Sequence, residues 1–106
     1  MSRRQQIEEM LNDDPADIFL RYALAMELQN EELNDRSLEI LAALRAESTP
    51  YIPAFFMAGK QLASIQRVNE AREVLRDGIG EARKQGDLHA AGEMSEFLTT
   101  LGSEGE

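Results

Sequence analysis

The chain has no cysteine, no tryptophan and a single histidine among its 106 residues. Without cysteine it has no disulfide framework, no thiolate metal site and no cysteine nucleophile. The lone histidine, His89, is expected to be a solvated or helix-capping residue, and no motif pairs it with a nucleophile. We therefore expect a protein that is not an enzyme, with no cofactor and no metal.

Basic residues and long apolar runs are also scarce. The chain has 11 Lys and Arg against 20 Asp and Glu, a formal net charge of −9. Because nucleic-acid affinity comes from basic residues that neutralise phosphates, we expect no nucleic-acid partner. No run approaches the roughly 18 apolar residues of a membrane span, and none follows Arg3 and Arg4 as in a secretory signal. These features predict a cytoplasmic protein with no membrane partner.

What the chain does have is apolar residues at helical spacing, with no sustained alternation of the kind that indicates a strand. The clearest stripe follows one helix face through Ala71, Val74, Leu75, Gly78, Ile79 and Ala82. The pattern predicts an all-α protein of about six helices, at about residues 3–12, 15–29, 35–47, 52–66, 69–85 and 87–101. Short connections between them imply antiparallel neighbours.

Several residues are expected to mark helix ends. Pro15, after Asp14, is expected at the first position of the second helix. Asn69 and Asp87 are expected to cap the fifth and sixth helices. Residues 102–106 are expected to form a flexible tail, which leaves one domain at residues 1–101.

Two pairs of helices resemble each other. Aligning Ala23 with Gly59 places Phe19 on Phe55, whereas Leu41 falls on Leu75 in the second helix of each pair. The offset is 36 residues in the first helices and 34 in the second. This alignment predicts two extra residues in the first pair, in the loop around residues 31–33.

The repeated residues resemble the tetratricopeptide repeat, a motif of about 34 residues. The second pair carries Phe55-x2-Ala58-Gly59-x2-Leu62 and Ala71-x3-Leu75. A looser copy is Phe19-x2-Tyr22-Ala23-x2-Met26 followed by Ser37-x3-Leu41. The resemblance covers about residues 15–84 and implies antiparallel helix-turn-helix repeats that form a right-handed superhelix.

The repeat pattern also implies how the helices pack. Small residues at Ala23 and Gly59 would let neighbouring helices approach, while Phe19 and Phe55 would fill the space beside them. The flanking helices would act as caps. Their sealing residues would be Ile7, Leu11, Leu88, Leu98 and Leu101.

The resemblance implies recognition of a protein partner in a shallow concave groove lined by the first helix of each repeat. Its predicted binding residues are Leu20, Arg21, Leu24, Glu27, Phe56, Lys60 and Ser64. Phe56 is the expected anchor, because it points about 100° away from the core residue Phe55 on a helix. The expected partner is a peptide or helix with an apolar anchor and a basic flank.

Two alternatives stay open. The chain could be an assembly protein that homo-oligomerises through exposed apolar helix faces, or a generic six-helix bundle. Arg72, Arg76 and Arg83 share one face of the fifth helix. That face could support self-association against the acidic first half, or it could be solvated and paired with neighbouring carboxylates.

Overall fold

The computed structural model describes residues 1–102, and its regular structure in that range is helical. Its helices are α1 (Arg3–Asp13), α2 (Ile18–Asn30), α3 (Asn34–Arg45), α4 (Ile52–Ser64), α5 (Val68–Lys84) and α6 (Leu88–Thr100). The predicted all-α class is therefore confirmed. The predicted flexible tail lies outside the described residues except for Gly102.

The chain divides into two compact units. The N-terminal unit, Met1–Tyr51, contains α1, α2 and α3; the C-terminal unit, Ile52–Glu106, contains α4, α5 and α6. In each unit the middle helix packs against both of the others. A single domain over residues 1–101 stays a prediction.

Acidic side chains cap α2 and α6. Asp17 caps α2, since its carboxylate accepts a hydrogen bond from the backbone N–H of Leu20 at 2.9 Å. The predicted start at Pro15 is wrong, because the backbone first makes a turn in which Asp17 N–H donates to the Asp14 carbonyl at 3.2 Å. Asp87 caps α6 as predicted, accepting from Ala90 N–H at 3.1 Å.

Asn69 does not cap α5, contrary to prediction. The helix begins at Val68, so Asn69 lies inside its first turn. Its side-chain oxygen instead accepts a hydrogen bond from Arg72 at 2.9 Å.

The core of the N-terminal unit forms around α2. A buried cluster contains Ile7, Leu24 and Leu28, with Leu11, Ala23 and Ile40 packed against it. On α3, Ser37 is completely buried and its hydroxyl donates to the Ala25 carbonyl at 2.7 Å. The small serine side chain therefore fits in the core, and its hydroxyl is satisfied by a hydrogen bond.

The C-terminal unit depends on close approach at two glycines. A Cβ placed on Gly59 would lie 2.6 Å from Leu75 Cδ2, so the approach of α4 to α5 at this residue is confirmed. A Cβ on Gly78 would lie 2.6 Å from Phe55 Cβ and 2.7 Å from Met94 Sδ. Gly78 thus brings α5 against both neighbouring helices.

The repeat has one offset of 34 residues, so the predicted offset of 36 in the first helices is wrong. Ile18 and Ile52 begin α2 and α4, and the turns after these helices contain Glu32 (φ 61°) and Gln66 (φ 67°). The loop has no extra residues, and Ala25, rather than Ala23, corresponds to Gly59.

Two apolar residues predicted to be buried are exposed, and the corrected register explains the first of them. Phe19 corresponds to Pro53 rather than Phe55, and it is 74% exposed, whereas Phe55 is buried. Leu88 is 71% exposed and does not seal the second repeat; Ala91 and Met94 are the buried residues of α6. Both residues were predicted to be buried because they are apolar, but the prediction did not establish which side of the helix each one occupies.

Arg72 is also placed differently from its prediction. It is only 6% exposed, and its guanidinium donates to the carbonyls of Leu101 and Gly102 at 3.2 and 3.4 Å. It therefore satisfies two carbonyls that directly follow α6, where the chain has left the helical hydrogen-bond pattern. Arg76 and Arg83 stay exposed.

Alanine at Gly78 and at Gly80 should change stability in opposite directions. Gly78→Ala should lower the free energy of unfolding by about 1–3 kcal/mol, because its Cβ meets the fixed Cβ of Phe55. A Cβ on Gly80 would have no neighbouring atom within 4 Å. Gly80→Ala should therefore raise the free energy of unfolding by up to about 1 kcal/mol, because alanine has the higher helix propensity. Urea unfolding followed by circular dichroism measures both, and equal effects would contradict the packing account.

Removal of Arg72 should destabilise the protein much more than removal of another arginine of α5. Arg72→Met should lower the free energy of unfolding by roughly 1.5–3 kcal/mol, because charged hydrogen bonds to the end of α6 are lost. Arg83→Met removes the same charge at an exposed position and should change it by less than about 0.5 kcal/mol. The same urea titration compares them; similar losses would show that Arg72 has no capping role.

Candidate functional site

The first helix of each repeat exposes a face made from corresponding residues. The α2 face consists of Phe19, Tyr22 and Met26, and the α4 face consists of Pro53, Phe56 and Lys60, each 34 residues later. Spacings of three and four residues place each set on one side of its helix. Both faces therefore present an aromatic ring followed one turn later by a long side chain.

On the α4 face, Phe56 lies between a second ring and a cation. Its ring centroid is 6.0 Å from that of Phe97 on α6, with the planes at 62°. Lys60 Nζ lies 4.2 Å from the centre of the Phe56 ring. A cation within about 6 Å of a ring centre is attracted to the ring's electron-rich face, so Lys60 forms an internal cation–π pair.

On the α2 face, Phe19 and Tyr22 contact Tyr51, which ends the N-terminal unit. The centroids of Phe19 and Tyr51 are 6.2 Å apart at 84°, and those of Tyr22 and Tyr51 are 5.4 Å apart at 77°. Burial raises the pKa of Tyr22 and of Tyr51 above the ordinary value of a phenol. We call Phe19, Tyr22 and Tyr51 the aromatic cluster.

The predicted site residues of α2 are occupied inside the N-terminal unit. Arg21 donates to Glu47 at 2.9 Å, and Glu27 forms an ion pair with Arg3 at 2.6 Å. Leu24 belongs to the buried core, so its predicted place in a binding surface is wrong. Leu20 is partly exposed. The error follows from the offset of 36 residues, which aligned Leu24 with Lys60, whereas the offset of 34 aligns Met26 with Lys60.

The predicted site residues of α4 share one side of that helix. Phe56 and Lys60 are in contact, and Ser64 lies one further turn along. Ser64 is exposed and its hydroxyl donates to the Gln61 carbonyl at 2.7 Å. These three residues remain available as the α4 contribution to a binding surface.

Sequence reasoning missed the aromatic cluster and Met26. Phe19 and Met26 are 74% and 41% exposed, although both were assigned to the repeat motif rather than to its surface. The equal spacing of Ser37 from Ala71 and of Leu41 from Leu75 already gave an offset of 34. Extending that offset to the first helices would have placed Tyr22 on Phe56.

The lone histidine lies on α6, outside the α2 and α4 faces, and it is solvent-exposed. His89 Nε2 is 3.5 Å from the carboxylate of Glu93, one turn along α6. Among residues 1–102, no group of three or more His, Asp or Glu side chains is arranged to hold a metal ion. No described helix is long and apolar enough to cross a membrane.

Comparison with known proteins gives structural neighbours. No family model and no curated protein matches the sequence. A tetratricopeptide repeat domain protein from Salinibacter ruber is similar, with a TM-score of 0.77 and 27% identity, over 83% of this chain and 89% of that chain. Protein BPP2914 from Bordetella parapertussis is similar with a TM-score of 0.79 and 28% identity, over 95% and 88%. The chain therefore has a tetratricopeptide-like fold.

Proposed function

We propose that this protein is a non-enzymatic interaction module that binds a peptide or helix of another protein, with the α4 face as the anchoring surface. Tetratricopeptide-like folds generally mediate protein–protein interactions, which supports the class of function. The observation that carries the site is the partly exposed Phe56 ring, held against Phe97 and Lys60.

The α4 face suits an apolar anchor from the partner. Binding energy in protein interfaces concentrates in a few aromatic and arginine residues that become fully desolvated on binding. Phe56 and Phe97 come from different helices of the same unit and meet at an angle, so they offer two ring surfaces to one inserted side chain. Residues outside these rings would contribute shape more than affinity.

Charge favours a partner with a basic flank. The chain carries a formal net charge of −9, so basic segments approach it with favourable electrostatics. Lys60 is the basic residue of the α4 face and Ser64 offers a hydroxyl beyond it. Arg21 and Glu27, predicted to orient a bound segment, form ion pairs with Glu47 and Arg3 within the N-terminal unit.

A second candidate function is self-assembly through exposed apolar residues. Leu88 is 71% exposed on α6, and such a side chain could be covered by another copy of the chain. Under this alternative, sedimentation equilibrium would give a dimer that Leu88→Ala dissociates. If the protein is instead a recognition module, we expect both the wild type and the Leu88→Ala variant to be monomers.

Replacement of Phe56 should weaken partner binding without unfolding the protein. Phe56→Ala should change the free energy of unfolding by only about 1 kcal/mol, because the ring is partly exposed. It should weaken binding of a selected peptide at least about tenfold, as loss of an anchoring aromatic does. Peptides are selected from a random display library on the wild-type protein, and their affinities are measured by isothermal titration calorimetry.

Leu88→Ala is the matched control, since it also truncates an exposed apolar side chain of the C-terminal unit. It should leave peptide affinity unchanged within about twofold. Selected peptides should also shift the amide NMR signals of α4. If Phe56→Ala unfolds the protein, or if the peptides shift signals elsewhere, Phe56 is not the anchor.

A further inference from the structure

The two helix faces differ in charge at one corresponding position. On the α4 face, the ammonium of Lys60, one helical turn away, lies over one side of the Phe56 ring. On the α2 face, the residues 34 positions earlier are Tyr22 and Met26. The N-terminal unit thus has the aromatic ring but an uncharged side chain where the C-terminal unit has a cation.

We propose that the aromatic cluster binds a Lys or Arg side chain from a basic segment of another protein, at the place that Lys60 takes over Phe56. This is a second site, separate from the anchoring surface proposed on α4, and it does not depend on binding there. Its ligand is defined by chemistry: a cationic side chain with an alkyl stem that packs on aromatic rings.

The geometry of the cluster fits a cation. Tyr51 stands nearly perpendicular to both Phe19 and Tyr22, with centroids 6.2 and 5.4 Å away. Perpendicular rings present faces in more than one direction, and those faces carry the negative part of the ring quadrupole. Because Phe19 is 74% exposed, an incoming side chain reaches its ring without rearrangement of the core.

Electrostatics around the cluster favours the same ligand. Acidic residues outnumber basic ones in Met1–Tyr51 by eleven to five. The nearest basic residue in sequence, Arg21, already pairs with Glu47 at 2.9 Å, so its charge is compensated. Asp17 precedes Phe19 by two residues and caps the same helix. A basic segment is therefore attracted to this unit before its side chain contacts the rings.

The direct test is an NMR titration of the whole protein with a blocked hexapeptide of alternating Arg and Ser. Its control is the same peptide with citrulline in place of Arg, which keeps the shape of the side chain and removes the charge. The arginine peptide should shift the aromatic ring signals of Phe19, Tyr22 and Tyr51, with affinity at least about tenfold above that of the citrulline peptide. Equal affinities, or shifts spread over acidic surfaces without the ring signals, would overturn the proposal.

A charge-matched pair of variants separates cation–π binding from general attraction. Met26→Lys recreates the arrangement of Lys60 over Phe56 and should weaken binding of the arginine peptide about tenfold. Asn30→Lys adds the same charge one turn further along α2 and should weaken it by less than about threefold. Equal weakening by the two variants would show that net charge, and not the ring site, controls binding.

Two further measurements test the correspondence between the two faces and the identity of the occupant. Lys60→Met should create a second site for the arginine peptide, seen as new shifts of the Phe56 ring; their absence would contradict the correspondence between the faces. The ring signals of Phe19 should not depend on protein concentration in the absence of peptide. If they do, and sedimentation shows a dimer, a second copy occupies the cluster and the proposal is wrong.

Discussion

The C-terminal unit depends on the absence of two β-carbons. Leu75 of α5 lies where the side chain of a larger residue at Gly59 would be, and Phe55 and Met94 occupy the corresponding space at Gly78. Glycine within a helix costs about 1 kcal/mol relative to alanine, and close helix contact at these two positions offsets that cost. The placement of Phe55 in the core follows from this contact, and it directs the adjacent Phe56 outward.

The N-terminal unit achieves the same packing with different residues. Ala25 takes the position of Gly59, and Ser37 takes that of Ala71 with its hydroxyl bonded to the Ala25 carbonyl. Leu44 occupies the position of Gly78 and is completely buried. In the C-terminal unit Phe55 packs against Gly78. In the N-terminal unit the large residue is Leu44 on α3, and the residue of α2 that corresponds to Phe55 is Arg21, which pairs with Glu47.

The exposed sides of α2 and α4 share one feature and differ in another. Tyr22 and Phe56 place an aromatic ring at the same position of each helix, whereas Met26 and Lys60 differ in charge. The ring of Phe56 therefore has a cation beside it, whereas the α2 face has no cation at the corresponding position and exposes Phe19.

The sequence by itself determined the helical class, the approximate helix bounds and the tetratricopeptide-like repeat, because these follow from local periodicity, caps and small-residue spacing. It also gave Phe56 its outward direction, since adjacent helical residues point about 100° apart. Only the tertiary structure decided the register of α2, and with it the burial of Leu24 and the exposure of Phe19. Two residues of shift preserve much of an apolar pattern in a helix as apolar as α2, so sequence similarity alone cannot distinguish the registers. Contacts such as Ser37 with Ala25 and Arg72 with the end of α6 depend on which helices meet, and that is fixed only when the whole unit packs.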